Sequence, residues 1–310
     1  MNRTKQKLYK KVLKRMELRE RLIAEGRTPP KKKVGFVQRY CRNRTAVFGF
    51  CLFVILALMA IVSPLFFDYD TEIIKQNISI RNQLPSAEHF FGTDNYGRDL
   101  FARVMWGSRI SLFVGFVEVF FAVVIGSLIG ATAAYYGGKI DEILMRAMDV
   151  FLAIPNTLMA ICIVAALGLG IDKLIIAMTV TAIPRFARVV RSAVLGVKGQ
   201  DYVEAAKACG TNDLRIIIRH IIPNAMGPII VQATTNVARS IITISSLSFV
   251  GLGIAPPTPE WGSMLSEGKE FMRYYPHLVI YPGIAICLTA LSLFSIGDGI
   301  RDALDPKLRN

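Results

Sequence analysis

Residues 46–67 carry no charged side chain over twenty-two positions, and that run constrains the fold more than any other feature of the chain. A bilayer core takes about 20 apolar residues of helix, so the run reads as a membrane span. Five further runs follow. Residues 110–136 contain one charge, Glu118; residues 150–171 contain none; residues 226–252 contain only Arg239; residues 278–297 contain none. The remaining run is clean from Leu174 to Pro184, and Phe186, Ala187, Val189, Val190 and Val194 continue it. Its Arg185, Arg188 and Arg191 are expected to snorkel toward headgroups. The chain is 53% hydrophobic with a positive mean hydropathy, which places it among integral membrane proteins. The expected fold is an all-α membrane protein with six transmembrane helices.

The net charge of +14 is concentrated at one end. Residues 1–44 hold 16 Lys and Arg against Glu17, Glu20 and Glu25. Beside a membrane span such a tail marks a cytoplasmic, lipid-facing segment in preference to a nucleic-acid binder. It is also too long for a cleaved signal peptide. With the N-terminus inside, 28 basic residues fall on the cytoplasmic side and 8 on the other, so both termini are expected in the cytoplasm. The chain divides into a tail (1–44), a first helix with an extracytoplasmic loop (45–109), a permeation core (110–298) and a short cytoplasmic end (299–310).

Candidate chemistry is sparse. Cys41, Cys51, Cys162, Cys209 and Cys287 follow no metal-ligand spacing, and His89, His220 and His277 are scattered, so no metal site is expected. There is no GxxxxGK[ST] phosphate loop and no nucleophile–base constellation, so an enzymatic role and a bound cofactor are not expected either. Ala122, Gly126, Gly130 and Ala134 recur every four residues, a small-residue stripe that marks a protein–protein face inside the membrane. Each charge at the bilayer centre costs about 2.5–3.5 kcal/mol on insertion scales. Glu118 and Arg239 therefore become candidates to line a pathway or to face one another. Asn156, Thr234, Thr235 and Asn236 are further polar positions for such a route.

The segment DYVEAAKACGTNDLRIIIRHIIPN (201–224) is polar and falls on the cytoplasmic side. Asp201 is placed to cap a helix with Glu204 at its third position, an Asp version of the capping box. Ala205 and Ala206 favour helix and give a low-relief face. Gly210 suits a left-handed helix end, Asn212 a second cap, and Pro223 a break before the next span. The reading is two short helices meeting at a glycine elbow; a plain connecting loop is the alternative, and a DNA-binding helix-turn-helix is disfavoured by the membrane tethers on both sides.

These residues carry a family resemblance. Glu204-Ala205-Ala206-x3-Gly210 with Ile221-Ile222-Pro223 resembles the EAA loop of permease subunits in ATP-binding-cassette importers. FGTDNYGRDLFARV (91–104), MRAMDVFLAIPNTLMAI (145–161), SSLSFVGLGIAPPTPEWGSML (245–265) and GDGIRDALDPKLR (297–309) resemble the dipeptide/oligopeptide branch, in the family's order from about residue 40 onward, and most resemble its C-type permease. Ile222 and Arg239 depart from the usual pattern, and the tail lies outside it. The resemblance implies a type I importer permease (MetI-like) fold. It implies partnership with a second, distinct permease in a heterodimer, two cytoplasmic ATPases that use ATP and Mg, and an extracytoplasmic binding protein, in a bacterial or archaeal plasma membrane. The 201–223 loop would couple to the ATPase, and the loops holding Asp94, Arg98, Asp99 and Trp261 would face the binding protein. Taken singly, Asp94, Arg98 and Asp99 read as local caps and ion pairs, and Trp261 equally as an interfacial anchor. Peptides are the expected cargo, with nickel complexes or glutathione as alternatives. A secondary transporter or channel is the rival class, but the inverted repeat it would carry is not evident.

Overall fold

A computed structural model describes residues 35–305. The basic stretch before them lies outside the described residues. Among the described residues the chain is helical, with a single isolated bridge, Thr93 to Asp99, and no sheet.

A short helix α1 (Phe36–Arg42) leads into α2 (Arg44–Phe66). The Asn43 side chain between them caps α2, accepting from the backbone N–H of Thr45 and Ala46 at 3.1 and 3.2 Å. One face of α2, with Phe48, Ile55, Leu58, Ile61 and Leu65, is exposed and suited to lipid. The opposite face is mostly small: Ala46, Gly49, Ala60 and Ser63 are buried there beside Leu56. A Cβ on Gly49 would sit 2.5 Å from Ser295 of α11 (His277–Leu304), so that glycine sets how closely α2 and α11 approach.

The long helix α3 (Leu100–Tyr136) starts ten residues before the apolar run does, because Asp99 caps it by accepting from Ala102 N–H at 2.8 Å. Its main neighbour is α6 (Ile171–Leu195). The small-residue stripe is the contact surface. Gly126 lies under Phe186, and Gly130 under the Ala187 carbonyl, too close for any side chain. The face expected to receive another protein is filled by the chain's own helix, which corrects that reading.

The apolar stretch 150–171 is not one straight helix. It is divided between α4 (Gly138–Leu152) and α5 (Asn156–Leu167), which meet at 85° around Pro155. Proline lacks an N–H and disfavours helix in the residue before it, so the ladder breaks there. The chain then passes through α6, two short helices α7 (Asp201–Ala208) and α8 (Asp213–Ile216), and α9 (Met226–Phe249); α10 (Trp261–Gly268) precedes α11. Among the described residues four helical stretches are long and apolar enough to cross a membrane, or five if the bent α4–α5 pair is one span. The expected count of six is reached only by adding α6, which has 25 residues but holds Arg185, Arg188 and Arg191 in its second half. Two of the arginines expected to snorkel also pair with acids of α4. Arg191 grips Asp141 of α4 through two N–H···O contacts of 2.5 and 2.6 Å, and Arg188 meets Asp149 at 2.6 Å.

Candidate coupling elbow and intramembrane polar site

The polar segment forms the expected elbow, with two local corrections. Helix α7 begins after Gln200, whose extended backbone and lack of side-chain cap make it the boundary. Asp201 is the first helical residue and not the cap, so no capping box joins it to Glu204; both acids instead stand in the first turn, where the helix dipole favours them. At the other end Thr211 N–H donates to Ala206 C=O at 3.1 Å and Gly210 N–H to Lys207 C=O at 2.9 Å, the paired bonds of a Schellman ending. Gly210 takes φ +71°, as that ending requires. Asn212 then caps α8, accepting from Leu214 N–H at 3.0 Å.

Pro223 does not end the second helix. The chain widens into a π turn (Ile217–Ile221), tightens into a 3-10 turn (Ile222–Ala225) and runs on into α9. Proline at the start of the 3-10 turn has no N–H to place, and the change of winding accommodates its ring.

The elbow is held to the core from beneath. Val203, Ile216, Ile217 and Ile221 are buried against Val190 and Val194 of α6 and Ala131, Ala134 and Tyr135 of α3. The Tyr135 hydroxyl donates to Asp213 Oδ1 at 2.6 Å, Lys207 lies 4.8 Å over the Tyr135 ring, and Lys198 donates to the Ala134 carbonyl at 2.8 Å. Above, Glu204, Ala205 and Gly210 are exposed, whereas Ala206 packs against the core. Leu214 and Ile218 are 59% and 51% exposed, and with Asn212, Arg215 and Arg219 they line an open hollow. Sequence reasoning missed Leu214, Arg215, Ile218 and Arg219; their i, i+4 pairing on one helical face was the available signal.

A second polar site lies where α3, α5, α6 and α9 meet. Glu118, Asn156, Arg185, Asn236, Arg239, Ser240 and Thr243 border a cavity of about 40 Å³. The structure thus gathers four of the six residues picked from sequence and adds Arg185. Thr234 and Thr235 stay outside, returning their hydroxyls to the carbonyls of Ile230 and Val231 in their own helix. Glu118 is fully buried, and neither of its carboxylate oxygens has a hydrogen-bond partner among the described residues. Glu118 and Arg239 form no ion pair within 4 Å; Arg185 lines the same cavity as both.

At the far end of α3 from the elbow, Asp94, Arg98 and Trp261 are buried, so their side chains present no surface to a partner. Arg98 donates to Asp94 at 2.6 Å and to Glu267 at 2.7 Å, and Arg103 meets Glu267 at 3.3 Å. Asp99 pairs with His89 at 2.8 Å. The local roles read for the three charges are present. Trp261 is an internal anchor and not an interfacial one: its indole N–H donates to Val104 C=O at 2.9 Å, beside a capping box of Glu260 and Ser263.

A family model described as "Binding-protein-dependent transport system inner membrane component" matches residues 122–310. The chain belongs to that family. A second model, the N-terminal TM domain of oligopeptide transport permease C, matches residues 35–85 of this inner membrane component. The dipeptide transport system permease protein DppC of Alkalihalophilus pseudofirmus is 44% identical over 269 residues, covering 87% of this chain and 88% of that one. The glutathione transport system permease protein GsiD of Pectobacterium atrosepticum is 42% identical over 89% of this chain and 91% of its own length. The oligopeptide permease protein OppC of Bacillus subtilis is 41% identical over 87% and 88% respectively. In fold, the chain is similar to an inward-facing MetNI methionine ABC transporter structure, with a TM-score of 0.53 and 19% identity over 66% of this chain and 97% of that one. The chain is therefore a multi-pass membrane protein of a transport permease family.

Proposed function

We propose that this chain is the C-type permease of an ATP-driven importer of peptides. It forms half of a translocation pathway with a second, distinct permease, receives cargo from an extracytoplasmic binding protein, and is driven by two cytoplasmic ATPases that bind the ATP and Mg. The chain itself performs no chemistry. Both termini lie in the cytoplasm, on the side of the elbow. Relatives named for dipeptide and oligopeptide transport support the cargo class; glutathione, itself a peptide, is the second reading favoured by the relatives named for it.

The observation that carries the coupling role is the elbow's two-sidedness. Its inner face is anchored to α3 and α6, while its outer face leaves Leu214, Ile218, Arg215 and Arg219 uncovered. An element fixed to the spans and open on its far side transmits a partner's movement into those spans. Asp201, Glu204, Ala205, Ala206, Gly210, Asn212 and Pro223 build and present that face, and Glu118, Asn156, Asn236 and Arg239 border the pathway. Reconstituting this chain with the second permease, both ATPases and the binding protein tests the reading. Peptide uptake should require ATP and the binding protein; uptake down a gradient without ATP would contradict it in favour of a secondary transporter or channel.

A further inference from the structure

Three charged residues lie near the midpoints of three different helices: Glu118 in α3, Arg185 in α6 and Arg239 in α9. All three border one cavity. Charges at that depth persist where they serve each other or a ligand. Here they do not satisfy each other. Neither Arg185 nor Arg239 forms an ion pair among the described residues, and both Glu118 oxygens are buried without a hydrogen-bond partner. The lining has an excess of one positive charge. Arg239 is exposed at the cavity edge, and Arg185 is half-buried behind it.

The broken α4–α5 segment contributes a third feature. Asn156, the first residue of α5, borders the cavity, and the start of α5 has no side-chain cap. Its first N–H groups have no partner within their own helix, and the dipole there favours an anion. Two unpaired guanidiniums, an uncapped half-helix and the amides of Asn156 and Asn236 together suit a carboxylate. The enclosed volume of about 40 Å³ holds a terminal group or a few waters, and not a whole peptide.

We propose that this cavity is an intramembrane station that reads the terminal carboxylate of the cargo, an inference that rests on the peptide-import reading. Arg239 makes the first contact from the exposed edge, Arg185 completes a bidentate grip, and the remainder of the cargo lies outside the cavity. Glu118 keeps the net charge of the lining small, so that the ligand is released again; a pathway needs binding weak enough to leave.

The test uses the complete reconstituted transporter and two probes, tri-alanine and its C-terminal amide. Binding is measured on the nucleotide-free complex without the binding protein, and uptake with it. The wild type should bind the acid about tenfold more tightly than the amide, the loss expected when a charged hydrogen bond is removed. Arg239→Gln should abolish that preference and slow acid uptake about tenfold without changing the concentration of loaded binding protein at half-maximal rate. Arg239→Lys should keep most of the preference, and Glu118→Gln should tighten acid binding. Equal binding of acid and amide by the wild type would overturn the station, as would unchanged preference and uptake in Arg239→Gln at normal complex yield. Absence of wild-type tri-alanine uptake is a separate result: it contradicts the peptide reading, and the station with it, before any variant is compared.

Discussion

The Tyr135 hydroxyl, at the end of the long helix α3, donates a 2.6 Å hydrogen bond to the Asp213 carboxylate in the first turn of α8. This bond joins a spanning helix directly to the elbow across 78 residues of sequence. It crosses the boundary between the membrane core and the proposed ATPase contact. Asp213 also complements the dipole of the short helix it begins, so the two stabilising roles meet in one side chain.

Tyr135→Phe removes the donor and keeps the ring that Lys207 covers. A hydrogen bond to a carboxylate is worth about 1.5–3 kcal/mol, so amide hydrogen exchange in residues 201–223 should speed up about tenfold or more while the spans stay protected. Unchanged exchange would mean that the buried apolar contacts alone hold the elbow.

Gly210 is open on its side-chain face, since a Cβ there would meet nothing within 4 Å. The cost of replacing it is therefore backbone strain alone. Gly210→Val should destabilise the Schellman ending by about 1–2 kcal/mol, and Gly210→Asn by clearly less. Measured as peptide molecules imported per ATP hydrolysed, Val should lower the ratio and Asn should largely preserve it. Equal ratios for all three would remove the left-handed turn from the coupling path.

Some of this was legible in sequence, and the pattern of success has a physical reason. The turn at Gly210 and the cap at Asn212 depend on immediate neighbours, so residue type alone locates them. Asp201 was misplaced by one position because Gln200, with no capping oxygen used, takes the extended conformation that ends the loop. Hydropathy marked residues 150–171 as a run but is blind to direction, and the 85° turn at Pro155 appears only in three dimensions. Arg185 carries the same charge whether it meets headgroups or a cavity, and α3 and α9 decide which. Trp261 follows the same logic: an indole suits an interface until Val104 offers its carbonyl inside.

Packing of α3 on α6 offers a third test. Gly130→Leu places a side chain where the Ala187 backbone already stands. Overpacking of this kind costs about 1–3 kcal/mol, and more where backbone must move. The thermal midpoint of the detergent-solubilised complex should fall by several degrees, whereas Gly199→Leu, with open space around its Cβ, should leave it unchanged.

The buried charges of the outer region predict an asymmetric response. Arg98→Met leaves Asp94 and Glu267 short of a partner in a buried site. Breaking a buried pair from one side costs about 3–5 kcal/mol. Thermal denaturation should show a large loss for Arg98→Met, and a small one for Arg301→Met, whose pairing with Asp298 is solvent-exposed.

A photo-crosslinking amino acid in place of Ile218 shows whether the outer face of the elbow meets an ATPase. The side chain is 51% exposed and points away from the buried Ile217 and Ile221. Irradiating membranes that hold the assembled transporter should yield a covalent product of this chain with the ATPase, and the same probe in place of Phe90 in the opposite loop should not. An Ile218 probe that reacts only with lipid, or an ATPase product obtained from Phe90 and not from Ile218, would contradict the account.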